Sequence, residues 1–422
     1  MLLYDAALQC MLSNARPLDV ERVPFEQAAA RVLAEPIVAN RDDPPALKSA
    51  MDGFALRSGD TFAATAARPV RFSYSQIIAA GSVPAEGLRT GSTSSDDSVR
   101  TFPAVRIMTG AMLPDGADAV VKQEDVKADG PGRFTLCSRV SPLENTIPRG
   151  ARMERGENLL AAGEVIGPQG LGILAMAHVD GILVHRRPIV AVLAIGNELV
   201  SPAQPLAPGK IPVSNLFVIG ALARRYGAAV RIMEICPDDP AAIYDRLMGQ
   251  LLGQTSESVP CDLAITLGGT HRGDYDFIHE VLNRLKARVE FDRVAMSPGA
   301  STIFATLDHR LIVGLPGTPA ASWIAFETLV RPALAKMSGQ SQWLAPKIPA
   351  ILSEPLTVAR NRIQFVPCRL EWDGGQYAAI PIRGRNIRES PASMRAQGII
   401  RVDESLSDYA QGSLIPVDWI AD

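Results

Sequence analysis

Between residues 188 and 338 the chain alternates strand-like and helix-like stretches, and this alternation restricts its fold more than any other feature. Apolar, β-branched runs at 189–195, 230–235 and 262–267 are short and lack the polar alternation of a half-exposed strand. The stretches between and after them, 216–226, 241–252 and 277–286, carry apolar residues at helical spacing. Strands that are apolar on both faces and joined by helices form a mostly parallel, doubly wound sheet covered on both sides. Further strands are expected at 288–296, 302–305 and 311–313, then a long helix over 319–337 with a kink at Pro332. Thr318 is placed to cap that helix, Pro319 suits its first position, and Gly339 can end it in the left-handed conformation.

A chain of 422 residues has room for more than this one domain, at about 150 residues each. Upstream, helices are expected over 4–14 and near 25–34. From there to about residue 145, runs at 70–75, 105–108, 119–122 and 134–140 divided by Gly and Pro indicate an inserted β-rich domain. Within it, 85–101 is rich in Ser, Thr, Gly and Asp with no apolar period, which reads as a surface loop. After Pro346 the period returns to two. Runs at 363–372 and 376–382 flank Asp373-Gly374-Gly375, a hairpin signal, and 398–402 and 414–419 complete a small C-terminal β domain. The fold class is therefore multidomain, mixed α/β and β.

The 45 acidic and 42 basic residues leave a formal charge of −3, which excludes the basic footprint of a general nucleic-acid binder. Apolar runs fall well short of the roughly 20 residues that a membrane-crossing helix needs. Met1-Leu2-Leu3-Tyr4-Asp5 lacks the charged start of a secretion signal, so a cytoplasmic protein is expected. Cys10, Cys137, Cys236, Cys261 and Cys368 form no C-x-x-C pair, which argues against a disulfide framework or a structural zinc site. His271 and His279 have no metal-site spacing, and His178, His185 and His309 lack the Ser or Cys neighbours of a triad.

The 34 glycines and 32 prolines carry more information, because they gather where strand-like runs end. The run 189–195 leads into Gly196-Asn197-Glu198, the run 262–267 into the loop from Gly268 to Asp276, and the run 311–313 into Gly314-Leu315-Pro316-Gly317-Thr318-Pro319. In an open parallel sheet, ligands bind outside the carboxyl ends of the strands, where loops and helix starts present N–H groups to anions. Glycine lets the backbone approach a phosphate, and Glu198, Asp274 and Asp276 are candidates to hold the magnesium that neutralises it. The same residues also serve as ordinary tight turns and helix caps, and neither a P-loop nor a dinucleotide fingerprint decides between these readings.

In the β-rich part, Ser49-Ala50-Met51-Asp52-Gly53-Phe54-Ala55 presents an acid on a small-residue turn, and Arg106-Ile107-Met108-Thr109-Gly110-Ala111 ends a strand in a hydroxyl and a glycine. Together with Asp43-Pro44, Arg155-Gly156-Glu157, Pro298-Gly299, Leu315-Pro316-Gly317 and the three glycine loops, these segments resemble the molybdopterin molybdotransferase family, which includes bacterial MoeA and the E domain of gephyrin. The likeness covers nearly the whole chain, and an ordered set of motifs is far more specific than any single one.

The resemblance implies four domains: an elongated, discontinuous one of 1–44 with 145–180, the inserted β domain 45–144, a molybdopterin-binding α/β domain 181–340, and a C-terminal β domain 341–422. It implies a homodimer with a site shared between subunits, and a reaction that inserts molybdate into adenylylated molybdopterin with release of AMP, assisted by Mg2+. It also implies a molybdoenzyme or another cofactor-assembly protein as a further partner. Carried onto matching positions, it gives Asp52, Thr109, Asp238, Asp276 and Arg293 catalytic roles, and metal binding to Glu198 and Asp276. Pterin and phosphate binding fall to Gly196, Gly268, Gly269, Ser297, Pro298, Gly299, Pro316, Gly317 and Thr318.

The chain departs from the family pattern at several charged positions. Asn197, Asn158 and Val213 stand where the family has aspartates, and Ser297-Pro298-Gly299-Ala300-Ser301 replaces a segment with two lysines. These losses favour, as the alternative, a non-catalytic paralogue that binds molybdopterin or finished cofactor as carrier or scaffold. A third reading, on the α/β domain alone, is a metal-dependent hydrolase of another nucleotide.

Overall fold

Successive residues of a strand point to opposite faces of its sheet, and in the alternating segment both faces are buried. Along Ile189–Ile195, Val190, Val192 and Ala194 pack into one core with Leu216, Ile219 and Ala223 of helix Ser214–Arg225 and with Ile324 and Phe326 further on. Ala191, Leu193 and Ile195 pack into another with Ile243 and Leu247 of helix Pro240–Leu252 and Ile278 and Val281 of helix Phe277–Arg284. Helices thus cover the sheet on both sides, as the apolar runs require.

In the computed structural model, which describes residues 1–88, 101–253, 259–270, 277–357, 362–383, 393–403 and 408–420, this sheet has six strands. Their order is Ala229–Cys236, Ile189–Ile195, Leu263–Leu267, Arg310–Leu315, Ile303–Leu307, Arg288–Phe291. The first four are parallel, and the last two join antiparallel at the edge.

The expected strand at 288–296 is two strands. Val294–Ser297 leaves the central sheet and pairs in parallel with Leu2–Leu3 and with Ile363–Trp372. The latter belongs to a C-terminal ladder in which Ile363–Trp372, Tyr377–Pro381, Lys347–Leu352, Leu414–Trp419 and Gly398–Val402 pair in turn, the last closing back on the first. The hairpin forms as its sequence indicates. Gly374 has φ 96°, and the Asp373 carboxylate accepts from the N–H groups of Gly375 and Gln376 at 3.1 and 3.0 Å.

The helix over 4–14 is present as Tyr4–Asn14. The helix near 25–34 is not: only a 3-10 turn, Phe25–Gln27, forms there. Ala30 takes the left-handed conformation (φ 57°), which a helix cannot continue through, and Val32–Leu33 pairs with Ile182–His185 as a buried strand.

The long helix widens ahead of Pro332. Pro332 has no N–H and its ring collides with the carbonyl four residues back, and a π turn, Phe326–Val330, separates Pro319–Ala325 from Arg331–Met337. The Thr328 carbonyl, to which Pro332 has no N–H to donate, accepts from the Tyr4 hydroxyl at 3.0 Å. Gly339 (φ 79°) ends the helix in a double hydrogen-bonded cap, its N–H donating to the Lys336 carbonyl and that of Gln340 to Ala335.

By contact density the chain forms two units, one of Met1–Glu35, Ala161–Gly172 and Val179–Asp422 and the other of Pro36–Leu160 and Ile173–His178. The second unit contains two four-stranded sheets. In one, Gly53–Leu56 lies between Ala119–Lys122 and Val105–Ile107. Phe54 of this sheet and Phe72 and Phe134 of the other form an aromatic cluster, with ring centroids 4.3 to 5.2 Å apart along the Phe54–Phe134–Phe72 series. Most of the expected loop 85–101 lies outside the described residues; Leu88 is buried and Thr101 begins the strand Thr101–Pro103.

Candidate functional site

The carboxyl ends of three parallel strands meet over one cavity of about 540 Å³. Glycines allow the meeting. Gly268 has φ 94°, and a Cβ there would lie 2.8 Å from the Ile195 carbonyl oxygen; a Cβ on Gly317 would come within 3.6 Å of the Gly268 Cα. The loops after Ile189–Ile195, Leu263–Leu267 and Arg310–Leu315 are thus packed backbone to backbone, and a side chain at Gly268 would part them.

Gly196, Glu198, Asp238, Gly268, Gly269, Gly317 and Thr318 all line this cavity. Two helices begin at it. Thr318 precedes Pro319–Ala325 and Val213 precedes Ser214–Arg225, neither with a side-chain cap, so first-turn N–H groups remain for a ligand. Val213 is buried in the apolar core, which leaves the start of its helix without the aspartate that the resemblance implies there.

Pro237-Asp238-Asp239-Pro240 divides its two acids between structure and cavity. Asp239 caps helix Pro240–Leu252 through bonds from the N–H groups of Ala241 and Ala242 at 3.3 and 3.1 Å. Asp238 faces the cavity, and its carboxylate accepts from the Asn197 N–H at 2.9 Å while its own N–H donates to the Asn197 side chain at 3.3 Å. An aspartate at 197 would make the second bond equally well but would set a like charge beside Asp238. The neutral amide keeps the loop geometry without that repulsion.

Asn215 and Lys210 are site residues that the motifs did not single out. The buried Asn215 amide donates to the Gly317 carbonyl, tying a helix start to the third loop, and Lys210 Nζ donates to the Asn197 carbonyl at 2.5 Å. The signal was a polar Ser214-Asn215 pair opening an apolar helix.

Other expected positions lie off the cavity wall. Pro316 and Ser297-Pro298-Gly299 are not among its lining residues, although Ser301 joins the same loop cluster, accepting from the Thr270 hydroxyl at 3.3 Å. Arg293 lies exposed on the turn between Arg288–Phe291 and Val294–Ser297, and its carbonyl accepts from the Leu2 N–H. Asp274 and Asp276, like His271, fall outside the described residues. Among the described residues no three His, Cys, Asp or Glu side chains cluster as a metal site. Two cavity carboxylates, Glu198 and Asp238, nevertheless fit a hydrated magnesium ion, which commonly takes one or two carboxylates and completes its shell with water and substrate phosphate.

In the second unit, Asp52 and Thr109 form a distinct arrangement. Asp52 Oδ1 accepts from both the backbone N–H and the hydroxyl of Thr109, each at 2.7 Å. These bonds, first the backbone one, hold the exposed carboxyl below the usual carboxylate range. The turn is set by the buried Ser49, whose hydroxyl donates to the Met51 carbonyl at 2.5 Å, while Gly110 N–H returns to the Ser49 carbonyl. Arg155-Gly156-Glu157 is a supporting turn: the Arg155 N–H donates to Asp42 at 2.8 Å.

Because the folded-state value of Asp52 is depressed, its stabilisation is present above the ordinary carboxylate range and is lost as pH falls through the depressed value. Thr109→Val removes the hydroxyl bond and leaves the backbone one. Asp52 should then titrate higher but still below an unperturbed aspartate, as read by carboxyl-carbon NMR; an unchanged titration would mean that the hydroxyl bond has no part in the shift.

Residues 2–177 match the family model described as MoeA N-terminal region (domain I and II), and residues 191–336 match a probable molybdopterin binding domain. A molybdopterin molybdenumtransferase of Staphylococcus aureus (strain COL) is 34% identical over 375 residues, covering 89% of this chain and 85% of its own. One from Staphylococcus epidermidis (strain ATCC 12228 / FDA PCI 1200) is 31% identical over 393 residues, covering 93% and 89%. Among solved structures, a molybdopterin biosynthesis MoeA protein from Pyrococcus horikosii superposes with a TM-score of 0.85 at 28% identity over 99% of both chains.

Proposed function

The chain belongs to the MoeA family, and on that premise we propose that it is a molybdopterin molybdenumtransferase of molybdenum cofactor biosynthesis whose pterin substrate binds in the cavity above the central sheet. The observation that carries this reading is the convergence of three glycine loops and two uncapped helix starts with the carboxylates Glu198 and Asp238. Adenylylated molybdopterin brings a pyrophosphate, and molybdate is a further oxyanion. Backbone N–H groups around Gly268, Gly269 and Thr318 bind such oxygens without needing lysines.

Glu198 and Asp238, with Asp276, would hold Mg2+, which when bound supplies charge neutralisation at the phosphates. The chain's own residues position the anhydride against the helix starts, where charge that develops on the leaving AMP phosphate meets fixed dipoles. Asn215 and Lys210 keep the loops in register. The curated relatives are transferases, which favours the transferase over a carrier that only binds.

The reading extends to a homodimer in which Asp52 and Thr109 of one copy serve the cavity of the other. Its support is that the pair is exposed and pre-ordered. Four functional segments, 1–44 with 145–180, 45–144, 181–340 and 341–422, and delivery to a molybdoenzyme complete the proposal. A cytoplasmic setting agrees with five free cysteines.

The test is incubation of the protein with adenylylated molybdopterin, molybdate and magnesium. AMP release that depends on both ions is expected, and release no greater than in a protein-free control would exclude the transferase.

A further inference from the structure

At the opposite end of the central sheet, before Ile189 and beyond the C-terminal end of helix Ser214–Arg225, lies a second cavity of about 250 Å³. Arg31, Arg186, Arg187, Arg224 and Arg225 line it, and among the described residues no acidic one does. All belong to the same unit of the chain. In a protein whose net charge is −3, five guanidinium groups on one small cavity call for a physical reason.

Part of this charge is already spoken for. Arg186 makes two bonds to Asp262, at 2.7 and 2.6 Å, and Arg31 pairs with Glu21 and donates to the His185 carbonyl at 2.9 Å. Arg224 reaches the Val230 carbonyl at 3.5 Å, a poor bond, and Arg225 is otherwise engaged. Arg224 and Arg225 also complement the negative end of their helix. None of this accounts for the exposed Arg187, which has no partner among the described residues.

Nor does it account for two buried polar atoms. Arg31 is 8% exposed and Ser338 5%, yet neither Arg31 Nε nor Ser338 Oγ has a hydrogen-bond partner. Both residues line the cavity. An unpaired buried donor costs about 1–3 kcal/mol. Arginine Nε can only donate and a serine hydroxyl can donate, so a single acceptor with several oxygens would serve both.

We propose that this cavity is a binding site for a tetrahedral oxyanion, either free or as the terminal group of a phosphate monoester. Arg31 Nε and Ser338 Oγ donate to it at the buried end, and Arg187 and Arg224 neutralise it at the mouth. The site is separate from the cavity at the carboxyl ends of the strands and does not depend on the function assigned there.

The test is residue-resolved labelling of the full-length protein with the arginine reagent phenylglyoxal, read by peptide mass spectrometry. Inorganic phosphate and AMP serve as separate probes, and the exposed Arg133 as internal reference. An occupied site slows labelling by the factor 1 + [L]/Kd, about tenfold with the probe at about ten times Kd. Slowed labelling of Arg187 and Arg224 by phosphate alone identifies a free-oxyanion site, and slowing by AMP as well identifies a monoester site. Labelling at unchanged rates with both probes up to high millimolar concentration would overturn the proposal.

Ser338→Ala separates binding from folding. The hydroxyl has no partner to lose, so the melting temperature of the free protein should not fall, whereas protection of Arg187 and Arg224 should need several-fold more phosphate. Equal protection in the variant and the parent would show that the buried end takes no part, and would also overturn the assignment.

Discussion

Magnesium-dependent AMP release should fall by at least about a hundredfold when Glu198→Gln and Asp238→Asn are combined. Both substitutions keep the size of the side chain, and an asparagine at 238 still accepts from the Asn197 N–H through its amide oxygen, so the loop pairing at 2.9 and 3.3 Å survives. What is removed is the negative charge of two residues that line the cavity. A metal ion that neutralises transferring phosphates contributes several kcal/mol to the transition state, and two decades of rate correspond to about 2.7 kcal/mol. The magnesium concentration for half-maximal rate should rise in each single variant, which a steady-state titration measures. Parental rates and parental magnesium dependence in the double variant would remove both residues from metal handling.

Gly53→Ala should destabilise the second unit by about 3 kcal/mol or more, since overpacking of this kind usually costs about 1–3 kcal/mol and here the obstacle is backbone. A Cβ on Gly53 would lie 2.0 Å from the carbonyl oxygen of Val121 and 2.9 Å from its carbon. These atoms belong to the neighbouring strand Ala119–Lys122, paired with Gly53–Leu56 over four residues, and neither strand can turn aside as a side chain would. The displacement falls next to Asp52, so AMP release should drop along with the urea midpoint. Gly59→Ala is the control: its Cβ meets nothing within 4 Å, and a change within about 0.5 kcal/mol is expected. Equal midpoints for Gly53→Ala and the parent would refute the strand pairing at the Asp52 turn.

Local signals were sufficient where one segment's apolar pattern matched one element. Ile189–Ile195 and Leu263–Leu267 are buried on both faces, and the sequence shows them as unbroken apolar runs. Tyr4–Asn14 follows its apolar stripe. The pattern misled where a distant partner decided the outcome. Val32–Leu33 looks helical in its own neighbourhood, but the strand Ile182–His185 captures it. The run at 288–296 reads as one strand, yet its second half is drawn off by Leu2–Leu3 and Ile363–Trp372. Pro332 announces an irregularity in the helix, and its form, a π turn with the Tyr4 hydroxyl 324 residues away donating to the Thr328 carbonyl, is set by the fold.

The sequence by itself determined the central parallel sheet, the glycine-rich strand ends, and the candidate acids Glu198 and Asp52, because apolar periodicity and turn chemistry act over a few residues, while Asp238 came from the resemblance of ordered motifs. Only the tertiary structure decided what those acids and loops do. It set Asp239 to cap a helix and Asp238 to face the cavity, and it showed that Gly268 and Gly317 are needed because three backbones meet there. It brought Arg31 and Ser338, each with one unpartnered buried polar atom, to the lining of the same basic cavity. Spacing along a chain carries no record of such meetings, since hydrogen bonding and close approach depend on distance in space between residues that the fold alone makes neighbours.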